Sequence, residues 1–342
     1  GGKRERRHAH AALMEVSPQA TSPAPFQDYR APKWLPGGHA QTIYPLLIKP
    51  DLPAYRRERR TTPDGDFIDM DWIDGDAAQP LVILFHGLEG SSGSHYAISL
   101  MNAVRACGWS GIVSHFRGCS GELNHRPRAY HSGDSDEIDW VLRCLRQEHP
   151  KRTIYVAGVS LGGNALLKWL GEREFLAGSI VDAAASVCAP LDLTVCGHHL
   201  GRGFNRVYTQ HFLNTLKATA AEKLKRFPGI FDEQRMRRAR NLYEFDDVVT
   251  APLHGYRDAD DYWLRASAKP LLRGIRVPTL VLNARNDPFL PAHALPHDNE
   301  VSGKVTLHQP HEGGHVGFVS GSLPGRLDWL PRRLLHFFEH RN

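Results

Sequence analysis

From residue 55 onward, short runs of β-branched and aliphatic residues alternate with stretches long enough to be helices. That rhythm belongs to a mostly parallel sheet with helices on both faces: parallel neighbours need a crossover, and strands buried on both sides read as nearly continuous apolar runs. The fold class is therefore α/β. Residues 55–61 and 67–72, joined through Pro63-Asp64-Gly65, predict an antiparallel hairpin. Strands follow at 81–86, 111–116, 153–158 and 181–188, with helices at 94–107, 134–148 and 161–172. After Pro190 the rhythm stops over a long, charged, helix-like stretch, then resumes with strands at 279–283 and 303–308 and an amphipathic helix at 325–339.

This pattern divides the chain into a first part of the core at 26–190, a helical cap inserted after strand 6 at 191–269, and a second part of the core at 270–342. An insertion at that point lies over the carboxyl ends of the parallel strands, where such sheets bind ligands. With 342 residues, 41% of them apolar, the chain is long enough to bury a large core, which excludes disorder as a whole. No run reaches the ~18 apolar residues of a membrane-spanning helix.

Residues 1–25 start without a methionine, carry Lys3-Arg4-Glu5-Arg6-Arg7 and end in Ser22-Pro23-Ala24-Pro25. They read as a flexible arm or an expression remnant. A secretory signal is not expected, since residues 9–16 are interrupted by His10 and Glu15. Cys107, Cys119, Cys144, Cys188 and Cys196 form no C-x-x-C pair, and an odd number cannot pair completely. A reducing, cytoplasmic setting follows. The net charge of +5 arises from 42 basic against 37 acidic residues, a mixed surface that gives no reason to expect nucleic acid as a partner.

The strongest chemical signal is Gly158-Val159-Ser160-Leu161-Gly162, between a strand and a helix. A sharp strand-to-helix turn there forces the serine into strained backbone geometry with its oxygen above the sheet, and the helix amino end places partial positive charge nearby. Ser160 is thus the candidate nucleophile. A serine hydroxyl needs a base, and the base an orienting carboxylate, in the chain order Ser, acid, His. Asp287, in Asn286-Asp287-Pro288, and His315, in Gly313-Gly314-His315, follow the later strands at the expected places. Asp192, after the preceding strand, is a rival acid. The oxyanion requires two backbone N–H donors, expected from Leu161 and from Leu88 in His86-Gly87-Leu88-Glu89-Gly90. His86 either positions that loop or is a satisfied structural histidine.

His311-Glu312-Gly313-Gly314-His315 also matches H-E-x-x-H, a zinc peptidase pattern that requires a helix. Two adjacent glycines cost about 1 kcal/mol each in a helix, and Pro310 precedes the motif, so the segment is expected to be a loop. In the cap, Lys223, Lys225, Arg226, Arg235, Arg237, Arg238 and Arg240 stand against Asp232 and Glu233. They read as a solvated helix face, with weak peripheral attraction to anionic lipid as the sharper alternative. His198-His199 lacks an acidic or cysteine partner for metal binding.

With these residues in place, the chain resembles the α/β-hydrolase fold serine hydrolases, and within them the YheT-like branch, the AB-hydrolase 4 family. The resemblance runs from about residue 32 to the C terminus. It rests on Trp34 to Thr42, His86 to Ser92, Phe116 to Glu122, Tyr130-His131-Ser132-Gly133, Gly158 to Asn164, Asn286-Asp287-Pro288 and His311 to Phe318. It implies a serine carboxylesterase or lipase acting through Ser160, Asp287 and His315, with His39, Arg117 and His131 shaping or supporting the pocket. The expectation is a hydrolase of short- to medium-chain carboxylic esters or lipid esters, with water as co-substrate and no cofactor or metal. The alternatives are a zinc-dependent peptidase using the HEGGH segment and a non-catalytic hydrolase-fold binding protein.

Overall fold

The computed structural model describes residues 26–341; the expected arm at 1–25 lies outside them. A short helix α1 (Gly38–Ile43) precedes an eight-stranded sheet made of β1 (Arg56–Thr61), β2 (Phe67–Ile73), β3 (Leu81–Phe85), β4 (Ser110–Ser114), β5 (Ile154–Val159), β6 (Ala183–Val187), β7 (Thr279–Leu282) and β8 (Val305–His308). Their spatial order is β1-β2-β4-β3-β5-β6-β7-β8. β1 and β2 form the antiparallel hairpin and β2 joins β4 antiparallel, while every pairing from β4 to β8 is parallel. The chain is thus an α/β-type fold with a mostly parallel sheet, as the alternation predicts.

Helices cover both faces because each central strand is apolar on both sides. In β3, Ile83 and Phe85 pack with α3 (Ser135–Glu148) and α4 (Leu161–Arg173), while Val82 and Leu84 face α2 (His95–Ala106) and α11 (Trp329–Glu339). Alternation of side chains along a strand enforces this division. Register then aligns the strand ends: Phe85 pairs with Gly158, Gly158 with Ser186, Val187 with Leu282, and Leu282 with His308. The loops that follow these aligned ends emerge side by side at one edge.

Between β6 and β7 the chain forms α5 (Leu193–Leu200), α6 (Arg206–Arg226), α7 (Glu233–Arg238), α8 (Leu242–Phe245), α9 (Ala251–Leu253) and α10 (Ala259–Ala266). They carry a small core of their own, including Leu213, Met236, Phe245 and Val249. Polar contacts bolt them to the sheet domain. Lys223 of α6 is buried, and its ammonium donates to Asn124 Oδ1 and to the carbonyls of Arg126 and Arg128 at 2.8, 2.9 and 3.1 Å. Burial lowers its pKa to about 8. The amide of Asn164 spans from Ser132 O to Ala266 O, while its Oδ1 accepts from Ala268 N.

One expectation changes and another holds with one exception. The closing helix begins at Trp329, not at residue 325, because Gly325 takes φ +84° in a turn closed by a Ser320–Arg326 bridge. The basic stretch at 223–240 is a solvated face as expected except at Lys223, which is buried. Lys225 pairs with Glu222, Arg235 with Asp247 and Arg237 with Glu233, and Arg226 donates to Asn124 O. Three of the seven basic side chains, Lys225, Arg235 and Arg237, thus find a carboxylate, and Arg226, Arg238 and Arg240 stay exposed without an ion pair among the described residues.

Candidate active site

Ser160 stands between β5 and α4 with φ +52° and ψ −118°, a conformation non-glycine residues avoid. The glycines on either side explain how the turn closes. A Cβ at Gly162 would lie against the carbonyl oxygens of Phe85 and His86, and one at Gly158 against the backbone of Gly162 and Gly163. Val187 O accepts the Ser160 N–H at 2.8 Å, pinning the turn to β6.

The loops after β7 and β8 bring the other two residues to this serine. His315 Nε2 lies 3.0 Å from Ser160 Oγ, and His315 Nδ1 lies 2.8 Å from Asp287 Oδ2. Asp287 is buried, and burial pushes its carboxyl above the ordinary value while the His315 contact pulls it down. Phe289 stacks on the imidazole, with ring centroids 3.9 Å apart. Asp192 is elsewhere employed: it caps α5, with Oδ1 accepting from Val195 N at 3.1 Å.

Several residues outside the sequence expectation hold these loops. Gln41 is fully buried in α1, and its Oε1 accepts from Gly313 N at 3.0 Å and from Asn286 Nδ2 at 2.9 Å. Asn286 Oδ1 takes Gly314 N–H, and Thr42 Oγ1 takes His315 N–H. Behind them, Cys188 Sγ accepts from Val316 N and lies 3.8 Å from Gly314 O, bracketing His315. Gln41 and Asn286 stood within motifs the sequence carries; nothing local announced that they meet. Five of the six positive-φ non-glycine residues among those described, Glu89, Ser160, Cys188, Val316 and Phe318, lie in these loops. Such conformations cost of order 1–3 kcal/mol each and concentrate where function over-determines the backbone.

The Leu88 loop lies directly beside the serine, since a Cβ on Gly87 would come within 3.2 Å of Ser160 Cβ. Tyr96 OH accepts Gly87 N–H, Tyr130 OH accepts Glu89 N–H, and Gly87 O accepts Gly90 N–H. Leu88 is left as the one N–H of this stretch with no acceptor among the described residues. Leu161 opens α4, where the first N–H groups of a helix have no partner within it. His86 is fully buried, donates from Nδ1 to Gly87 O at 2.7 Å and accepts Phe116 N–H at Nε2. Burial lowers its pKa to about 3, so it braces the loop as a neutral ring.

The HEGGH segment is not helical: Gly313 and Gly314 have φ +142° and +66°. His311 and His315 therefore lack the one-turn spacing of a zinc peptidase. The donor atoms of Cys188, Asp287 and His315 lie within 4.8 Å of one another. This grouping is the back of the Ser–His–Asp array, its donors already engaged as described above.

A cavity of about 150 Å³ opens beside Ser160 and His315 and runs between the sheet and the helices inserted between β6 and β7. Its wall is largely apolar, with Leu88, Leu193, Leu200, Leu216, Val249 and Phe289 among its residues. Phe212, Leu216, Ala220 and Lys223 share one face of α6 and all line it. Phe212 lies beside Phe289, the ring on His315, with centroids 6.1 Å apart. At 1.5 Å per helical residue the wall from Phe212 to Lys223 extends about 16 Å. Arg117 is buried in ion pairs with Glu137, Asp64 and Asp66, and His131 packs against His254 and Tyr262. Both line the cavity, whereas His39 is not among its lining residues and sits exposed against Phe204 and Tyr208.

An eight-stranded, mostly parallel sheet with a serine on a sharp strand-to-helix turn defines an α/β hydrolase. The α/β hydrolase fold family matches residues 80–322, and the chain belongs to it. Within that family it is YheT-like: it is 41% identical over 305 residues to the Escherichia coli (strain K12) protein called "Putative esterase YheT", covering 86% of this chain and 88% of that protein. It is 28% identical over 328 residues to human phospholipase ABHD3, covering 93% of this chain and 80% of that protein. Among solved structures, the Pyrococcus furiosus esterase PF2001 superimposes with a TM-score of 0.56 at 17% identity, over 84% of this chain and 91% of that one, a likeness of fold.

Proposed function

We propose that this chain is a serine hydrolase of carboxylic esters, working through Ser160, His315 and Asp287 by way of an acyl-enzyme. The reading rests on one observation: the His315 ring bridges Ser160 Oγ and a buried carboxylate at 3.0 and 2.8 Å. In this scheme His315 Nε2 takes the hydroxyl proton as Ser160 Oγ attacks the ester carbonyl carbon. Asp287 accepts the Nδ1–H, holding the tautomer that leaves Nε2 free and stabilising the imidazolium. The N–H groups of Leu88 and Leu161 receive the oxyanion, where preorganised donors contribute most. Collapse of the tetrahedral adduct expels the alcohol, which takes its proton from His315. Water, activated by the same imidazole, then releases the acid and restores the serine.

The apolar cavity beneath the cap favours short- to medium-length acyl chains, lipid esters included. The names of its relatives, an esterase and a phospholipase, point to the same class of bond. Among the described residues no helix is long and apolar enough to cross a membrane, and all five cysteines are free. The cysteines agree with action in the cytoplasm. The test is hydrolysis of p-nitrophenyl acetate, butyrate and octanoate by purified protein, with labelling by a fluorophosphonate. Ser160→Ala is expected to lose at least about a thousandfold in turnover and all labelling. Equal activity of the variant and the parent refutes the assignment.

A further inference from the structure

Ten large apolar side chains among the described residues are exposed, and six of them gather in one region. Ile43, Leu46 and Leu47 lie at the end of α1 and the turn after it, Phe204 in the turn before α6 and Val207 in its first turn, and Leu323 in the loop before α11. Their exposure runs from 39% at Ile43 to 72% at Leu47. Contacts tie the three segments together. His39, one helical turn before Ile43, lies 4.4 Å from the Phe204 ring, and its Nδ1 is 2.8 Å from Tyr208 OH. Tyr44 OH donates to Pro324 O at 2.7 Å. These segments also border the catalytic array: Tyr208 packs on Phe289, which stacks on His315, and Thr42 accepts the His315 N–H.

The charge of the region is one-sided. No Asp or Glu occurs from Lys33 to Pro50, from Leu193 to Ala221 or from Val316 to Leu327, although acidic residues number 37 in the chain. Exposed Lys33, Lys49, Arg202 and Arg206 stand among the apolar side chains. In the basic stretch at 223–240 Lys225, Arg235 and Arg237 are ion-paired, whereas Lys33, Lys49, Arg202 and Arg206 have no ion pair among the described residues.

We propose that this apolar, acid-free rim docks on an anionic lipid surface and seats the mouth of the Ser160 cavity against it. Exposed leucine and phenylalanine leave water on entering the headgroup boundary, and each nearby Lys or Arg is drawn by the negative surface potential. A second copy is the weaker occupant, because a two-fold contact sets the same cations against one another. Docking does not depend on the serine chemistry, and its test does not use it.

The test is sedimentation of the full chain with vesicles of phosphatidylcholine alone or with roughly one third phosphatidylglycerol, at low and high salt. The parent is expected to pellet with the anionic vesicles and at least about tenfold less with the zwitterionic ones, the difference shrinking with salt. The variants Leu46→Ser with Leu47→Ser, and Arg202→Glu with Arg206→Glu, are each expected to bind at least about tenfold more weakly. The leucine pair keeps its hydrolysis of a soluble p-nitrophenyl ester, showing that it folds. Absence of pelleting overturns the proposal, as does equal pelleting of variants and parent, which moves binding to another site such as the basic run at residues 3–7. A dimer abolished by the leucine pair, without vesicle binding, also overturns it.

Discussion

The side-chain amide of Asn286 donates to Gln41 Oε1 at 2.9 Å, across 245 residues of sequence. Through that bond a short helix ahead of the sheet holds the loop bearing Asp287 to the loop bearing His315, because the same Gln41 oxygen also accepts Gly313 N–H. Gln41→Ala leaves the buried Gly313 N–H without its acceptor, a loss of about 1–3 kcal/mol. The expected outcome is a drop in kcat of about tenfold or more with KM little changed. Steady-state kinetics on p-nitrophenyl butyrate decide it, and a pure rise in KM contradicts the positioning role.

The two candidate acids separate by the same assay. Asp287→Asn is expected to cost about ten-thousandfold in turnover, since the amide favours the wrong imidazole tautomer. Asp192→Asn keeps an N-cap of nearly equal quality, so activity and melting temperature stay close to the parent. A larger catalytic loss for Asp192→Asn contradicts the geometry.

The cavity wall on α6 predicts acyl selectivity. Ala220 lines the cavity two helical turns beyond Phe212, toward Lys223. Ala220→Phe fills the far end, so hydrolysis of octanoate and longer esters falls about tenfold or more relative to acetate, each excluded methylene being worth up to about 0.8 kcal/mol. An unchanged chain-length profile places the acyl group elsewhere.

Acid should unfold the protein through its buried neutral histidines. Burial lowers His86 and His131 to about 3, below the ordinary 6.5 they regain when unfolded. The unfolded chain therefore binds more protons between pH 6.5 and 3, and stability is lost as pH falls through that window. Each ring contributes a slope of up to about 1.4 kcal/mol per pH unit. In urea titrations from pH 7 down to about 5, His131→Phe is expected to flatten the pH dependence by close to one proton. An identical slope in variant and parent contradicts a neutral buried His131.

Much of this architecture is legible in the chain. The apolar run of β3 and the glycines around Ser160 state their strand and turn locally, because side-chain period and backbone sterics act over a few residues. The start of the closing helix is not legible locally, because Gly325 and Asp328 sit in a turn whose closure depends on Ser320 and Arg326. At 223–240 the solvated face is legible, but a sequence tallies charges without telling that Lys223 is buried on carbonyls or which of the others find carboxylates.

By itself the sequence determined the order of the strands and of the helices between the core strands, and offered the nucleophile, the base and two acids, Asp287 and Asp192, since these follow from periodicity and from turn chemistry written in adjacent positions. Tertiary structure alone decided that Gln41, Asn286 and Cys188 hold His315, that Lys223 ties α6 to the loop at 124–128, and that six exposed apolar side chains share one region. Those outcomes depend on which distant loops the strand register brings side by side, and hydrogen bonding and burial across such distances leave no periodic mark on the chain.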